Sequence, residues 1–256
     1  MTHPALRPCL RITLWVLLLS VPTSGVFAHR DDYINETFVF QTLQAKEFEP
    51  ELWLESANGT ASESSFRAIA GAFEYGITNR WMVDGFARWL DPGDGDSSFQ
   101  RFRAETRVRF GEEGDRPVDL AASFETEYEK EEESGRTGSR GTSTWGWTMT
   151  PRLVLSRDLG SEFNVTLNLD LGRQFGSGVR DRWVPGYAVA ARYPREAFLR
   201  YGFEFRQDFA EKRTTLLVPQ AWFSFSHDAT LKLGAGIDLS GESRQNFARV
   251  VFEIEF

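Results

Sequence analysis

Arg101, Arg103, Arg107 and Arg109 share one parity within a nine-residue stretch. In an extended strand, side chains of one parity point to one face, so these four guanidinium groups would form a ladder. Rings and ladders of charge set the selectivity of pores, and a basic one along a water-filled path would favour anions. Arg88, and later Arg200 and Arg206, extend the basic set, while Glu125, Glu127 and Glu204 add carboxylates of the same inward parity. The same residues allow a second chemistry, in which opposed charges hold neighbouring strands together at about 0.2 to 1 kcal/mol per pair. One register of the hairpin between residues 98–110 and 117–129 sets Arg109 against Asp119, Arg103 against Glu125 and Arg101 against Glu127. The last hairpin offers Lys232 with Glu255 and Asp238 with Arg249. Both readings, a permeation ladder and a structural charge lattice, stay open at this level.

A second group is acidic. Glu49, Glu51 and Glu55 near the start of the patterned region match Glu253 and Glu255 at its end, and Glu49 is expected beside Glu255 where first and last strands meet. Crowded carboxylates there could collect a hard cation such as Ca²⁺ or repel anions, unless Lys232 and nearby arginines screen them. The expectation is that they are screened, with neither a bound metal nor a cofactor.

Hydrolytic chemistry finds little to work with. A serine nucleophile needs a histidine within hydrogen-bond reach and a group to orient it. Beyond residue 28 only His29 and His227 remain, and His227 falls in a short turn. Gly-x-Ser-x-Gly, His-Glu-x-x-His and phosphate-loop patterns are absent. An enzyme is therefore not expected.

These side chains need a scaffold that alternates. Residues 1–28 read as a signal peptide, with Arg7 and Arg11 before an apolar core from Ile12 to Val21 and a small-residue cleavage site at Val26-Phe27-Ala28. Cys9, the single cysteine, would leave with it, so the mature chain would use neither disulfides nor thiolate metal sites. The 29 basic residues less those two arginines leave 27 against 37 acidic ones, a net charge of −10 that argues against nucleic-acid binding. No later run reaches 18 consecutive apolar residues, so no membrane helix is expected.

From residue 47 onward twelve alternating segments follow one another: 47–57, 66–76, 80–91, 98–110, 117–129, 144–157, 161–173, 183–193, 197–209, 213–226, 229–240 and 246–256. Compact connections such as Asp158-Leu159-Gly160 take turns with longer polar ones such as Lys130 to Ser143. That phase is the signature of an up-and-down transmembrane barrel with short periplasmic turns and longer external loops. It predicts an all-β, antiparallel barrel of about 12 strands in residues 47–256, with both termini periplasmic, in the bacterial outer membrane. Asp84 and Arg88 mark the inner face of the third segment, which turns Trp81, Val83, Gly85, Ala87 and Trp89 outward. The two tryptophans are eight residues and about 26 Å apart along a strand, enough to reach both aromatic girdles once the strand tilts. Residues 29–46 precede the barrel, and Phe38, Val39 and Phe40 are too apolar for a free tail; the segment is expected to pack on the periplasmic rim or enter the lumen.

Leu231 to Phe256, L-K-L-G-A-G-I-D-L-S-G-E-S-R-Q-N-F-A-R-V-V-F-E-I-E-F, resembles the closing hairpin of bacterial outer-membrane channel proteins, including a phenol-degradation pathway transporter family. Leu231, Gly234, Gly236, Leu239, Arg249 and Phe256 carry the likeness. It implies a channel for passive or selective transport of a small solute, surrounded by outer-membrane lipid. It also implies a terminal strand, ending at Phe256, that the barrel-assembly machinery reads. The alternative is a structural or surface-interaction barrel without an open pore, acting through Lys130 to Ser143.

Overall fold

A computed structural model describes the chain except for residues 1–31, 36, 59–64, 92–96, 133–142, 161, 178–180, 196, 211–212, 227 and 241–245. The signal peptide, His29, His227 and most of the stretch from Lys130 to Ser143 therefore lie outside the described residues.

Twelve strands form: β1 (Phe48–Ala57), β2 (Phe66–Thr78), β3 (Trp81–Asp91), β4 (Ser98–Arg109), β5 (Asp119–Glu132), β6 (Ser143–Leu159), β7 (Phe163–Ser177), β8 (Arg182–Tyr193), β9 (Leu199–Phe209), β10 (Arg213–Ser224), β11 (Ala229–Asp238) and β12 (Phe247–Ile254). Each pairs antiparallel with its chain neighbours, and β1 pairs with β12, so the sheet closes into a barrel without an edge. The expected segments and these strands agree closely. The largest differences are at the long-loop end, where β5 runs on to Glu132 and β7 to Ser177. There Tyr128 stacks on Trp145 and packs against Trp147, with ring centroids 4.6 and 4.7 Å away. Aromatic cross-strand pairing of this kind carries a sheet past the point where turn-like composition suggests a loop.

Alternation decides which side chains face which medium. Leu52, Leu54, Phe73, Phe102, Phe124, Leu153, Leu169, Phe203 and Phe252 are exposed on the outer surface. A closed, largely apolar wall of this kind suits lipid, not water. Trp81 and Trp89 both point outward as expected. Gly85 between them is covered, because the Phe73 ring lies where its Cβ would project.

Register departs from expectation at two hairpins. Across β4 and β5, Arg101 faces Glu129, Arg103 faces Glu127 and Arg109 faces Ala121, a shift of two residues. Across β11 and β12, Lys232 faces Val251 and Gly234 faces Arg249, a shift of four. An even shift leaves every side chain on its original face. The apolar pattern therefore cannot discriminate between such registers, and complementary charges recur at several of them.

Candidate functional site

The lumen holds the chain's own N-terminal segment. Just before β1 the backbone turns inward: Lys46 has φ of 75° and its N–H donates to the Gly76 carbonyl at 2.7 Å, while the Gly76 N–H donates to the Glu47 carbonyl at 3.0 Å. The Gln44 backbone passes so close to Gly76 that any Cβ there would overlap it. A glycine is required at this crossing. Residues 32–43 then rise from the short-turn end towards the middle of the barrel and fold back on themselves, the Tyr33 N–H meeting the Thr37 carbonyl at 3.1 Å. Tyr33, Ile34, Phe38, Val39, Phe40 and Leu43 are all buried, none more than 3% exposed. Of the two expected placements for residues 29–46, the described part, from Asp32 on, has the second, insertion into the lumen.

The wall is shaped to receive it. Ala121 and Val154 pack against Phe38 and Phe40, Ala190 and Trp222 against Tyr33 and Val39, and Ala70, Trp53, Phe86, Val218 and Val251 against Ile34. Gly234 leaves the space that the Ile34 side chain fills. Burying each of these larger side chains contributes about 1.5 to 3 kcal/mol.

Polar groups of the wall bind the segment's backbone. Glu204 accepts the Asn35 N–H at 2.6 Å and the Thr37 N–H at 3.0 Å, and is itself held by Gln220 Nε2 at 2.8 Å. Gln220 Oε1 accepts the Ile34 N–H at 2.8 Å, and Arg249 donates to the Ile34 carbonyl at 2.7 Å. Asn168 donates to the Phe38 carbonyl at 3.1 Å. Asp32 ties both arms together, accepting from Arg107 at 2.5 and 3.0 Å and from the Val39 N–H at 2.8 Å. The Phe38 ring lies between the Arg107 and Arg152 guanidinium groups, each 4.2 Å from its centroid.

Above the segment, towards the long-loop end, a cavity of about 430 Å³ remains, with Asn35 on its floor. Its charged lining is paired. Glu55 bridges Arg88 at 2.6 Å and Arg249 at 2.5 Å, Arg101 meets Glu127 at 3.2 Å, and Asp170 joins Arg152 at 2.7 Å to Arg206 at 2.9 Å. Arg206 also reaches Asp208 at 3.3 Å, and Arg152 reaches Glu125 at 3.5 Å.

The residues singled out from the sequence therefore separate into groups. Arg88, Arg101, Glu125, Glu127 and Arg206 line the cavity. Arg107 and Glu204 hold the inserted segment. Arg103 meets Asp84 at 3.5 Å, Arg109 donates to the Asn79 carbonyl at 2.8 Å and pairs with Glu112 at 2.9 Å, and Arg200 donates to Ser224 at 2.8 Å near the short-turn end. The observed registers do not set Arg109 opposite Asp119, Arg103 opposite Glu125, Lys232 opposite Glu255 or Asp238 opposite Arg249. Lys232 meets Glu253 at 2.5 Å, and Arg249 crosses the seam to Glu55. In the acidic group Glu49 and Glu51 lie with Glu253, and the backbone hydrogen bonds between Phe48 and Phe256 continue the seam register past the end of β12, which sets Glu255 opposite Glu49 as expected. Glu74, opposite Glu49, was missed, as were Asp32, Gln220, Asn168 and the small wall residues Gly76 and Gly234. Inward glycines and alanines facing an apolar segment were the available signal.

A twelve-strand closed barrel with an apolar exterior and a charged interior has the fold of outer-membrane β-barrels. Its fold is shared by an outer-membrane channel from Pseudomonas putida F1, with a TM-score of 0.55 and 15% identity over 85% of this chain and 98% of that one. The KdgM porin, solved in complex with disordered oligogalacturonate, superposes with a TM-score of 0.56 and 12% identity over 81% of this chain and 99% of the porin. The translocator domain of the autotransporter NalP from Neisseria meningitidis gives 0.55 and 12%, over 84% and 89% respectively. No protein-family model and no curated protein matches the sequence.

Proposed function

We propose that the protein is an outer-membrane channel for a small polar solute, kept closed by its own N-terminal segment. The observation that carries this reading is the pairing of a cavity open towards the long-loop end with an inserted segment that is held by hydrogen bonds and apolar contacts and runs into the wall at Glu47. By the usual phase of such barrels the short turns and both termini face the periplasm, and residues 29–46 enter from that side after removal of a leader at residues 1–28. The resemblance of the closing hairpin to phenol-degradation pathway transporters, and the fold shared with a porin and a channel, support transport over catalysis. Arg88, Arg101, Arg206 and Arg249 in the cavity are each compensated by a carboxylate, which favours a neutral or zwitterionic solute over a polyanion. When the segment withdraws, Arg103, Arg107 and Arg109 line the path below.

Planar-bilayer recording of the full chain and of a variant lacking residues 32–43 tests this reading. The full chain is expected to be mostly closed with brief openings, and the deletion variant to conduct steadily with little preference between K⁺ and Cl⁻. A folded deletion variant that passes no current would overturn it. That result would favour the second reading, a structural barrel without a pore, which the filled short-turn half of the lumen also supports.

A further inference from the structure

The cavity above the inserted segment is balanced in charge as a whole but polarised across its width. Its lining, among the described residues, holds five arginines and five carboxylates. They are segregated. On β12, β1, β3 and β4 stand Arg249, Arg88 and Arg101 with one carboxylate, Glu55. On β5, β6, β7 and β9 stand Glu125, Glu127, Asp170 and Asp208 with two arginines, Arg152 and Arg206. The first wall thus has an excess of two positive charges and the second an excess of two negative ones. In the closed ring of twelve strands β1 stands opposite β7 and β3 opposite β9, so the two walls face each other across the lumen.

The ion pairs preserve this polarity. Glu55 alone serves both Arg88 and Arg249, at 2.6 and 2.5 Å, whereas Arg206 meets two carboxylates, Asp170 at 2.9 Å and Asp208 at 3.3 Å. Glu105, which also reaches Arg152 at 3.2 Å, is balanced by Arg107 at 3.5 Å. The walls touch where β4 meets β5, through Arg101 and Glu127 at 3.2 Å. On the other side Leu216 of β10 and Phe247 of β12 leave an apolar sector between them. Arg88 and Arg101 are directly opposed across β3 and β4, and like charges so placed weaken a strand pair. An anion seated between them relieves that repulsion. Asp208 is the most accessible carboxylate of the facing wall, its side chain 29% exposed.

We propose that the cavity is a binding site for a zwitterion whose carboxylate and ammonium groups are separated by an apolar spacer. The carboxylate lies at Arg88 and Arg101, the ammonium at Asp208, and the spacer along Leu216 and Phe247. A singly charged solute is drawn to one wall and repelled by the other, while a zwitterion aligned with the field gains at both. A volume of about 430 Å³ suits one small molecule with its remaining water. The site rests on the reading of the barrel as a solute channel, whose substrate class it names.

Calorimetry on the full-length barrel, folded in detergent at neutral pH, tests the site without requiring conduction. The probe ε-aminocaproate should bind saturably and at least tenfold tighter than caproate or hexylamine, each of which keeps one of its charges. That advantage should shrink in high salt. Asp208→Asn should weaken ε-aminocaproate at least fivefold without weakening caproate, and Arg101→Gln should do so without weakening hexylamine. Should either variant fail to fold, the comparison of the three ligands on the wild-type chain still decides. Equal affinities for the three, or no saturable heat with ε-aminocaproate, would overturn the proposal. Zwitterion binding by a barrel whose variant lacking residues 32–43 passes no current keeps the site and removes the channel; current without zwitterion preference does the reverse.

Discussion

The two halves of the lumen both carry charged groups on their walls, but in opposite states. In the long-loop half, arginines and carboxylates satisfy one another, as Glu55 does with Arg88 and Arg249, and a cavity remains. In the short-turn half, wall groups reach across to a backbone that is not part of the wall, as Glu204 does with the Asn35 and Thr37 N–H groups. A self-paired lattice keeps its structure whether or not anything lies inside it. A wall whose acceptors are aimed at backbone amides is built around an occupant, and loses partners when the occupant leaves. Charge inside a barrel therefore says little about function until the partner of each charge is known.

That contrast can be broken most forcefully at Glu204. Glu204→Ala removes the acceptor for two buried N–H groups, at about 1.5 to 3 kcal/mol for each hydrogen bond to a charged group. Release of the segment should become at least about a hundredfold more favourable, read as a rise in open probability in bilayers. Gly234→Leu acts through shape alone, filling the space used by Ile34. Open probability should rise by about tenfold, as expected for loss of one buried aliphatic contact, with no change in ion selectivity.

In the long-loop half the effects should be smaller and of another kind. Glu55→Gln leaves Arg88 and Arg249 with less compensation, so the reversal potential in a KCl gradient should move towards Cl⁻, and the shift should shrink in high salt as charges are screened. Equal changes in open probability from Glu55→Gln and Glu204→Ala would remove the distinction between the halves. The smallest effect is expected at the rim, where Arg173 and Asp181 form an exposed pair at 3.0 Å. Arg173→Ala should leave the midpoint of unfolding in urea unchanged.

The barrel was legible because lipid imposes a strict rule of two on every strand. Ser98–Arg109 and Arg182–Tyr193 come out within a residue of their expected limits. Register was not legible, since shifts of two or four leave that rule intact, and Arg249 finds an acid either at Asp238 across the hairpin or at Glu55 across the seam. The site was half visible. Phe38, Val39 and Phe40 announced that the segment must bury itself, but Ala70, Ala121, Ala190, Gly76 and Gly234, which make room for it, lie on four strands and become a surface only when the barrel is closed. Glu204 shows the same limit. In the sequence it is one more acid of inward parity, and only the folded chain brings it, at 100 or more residues of separation, to the amides it binds.

The order of synthesis gives the inserted segment a history. Its own residues are among the first made, yet Glu204, Gln220, Trp222, Gly234 and Arg249, which hold it, belong to β9 through β12. Phe256, the last residue, exchanges backbone hydrogen bonds of 2.9 and 3.2 Å with Phe48, the first residue of β1. Contacts of such long sequence separation form late, because a long loop must close before they contribute. Docking of the segment is thus a terminal event of maturation, and a nascent barrel passes through a stage in which its wall is nearly complete and its lumen still vacant.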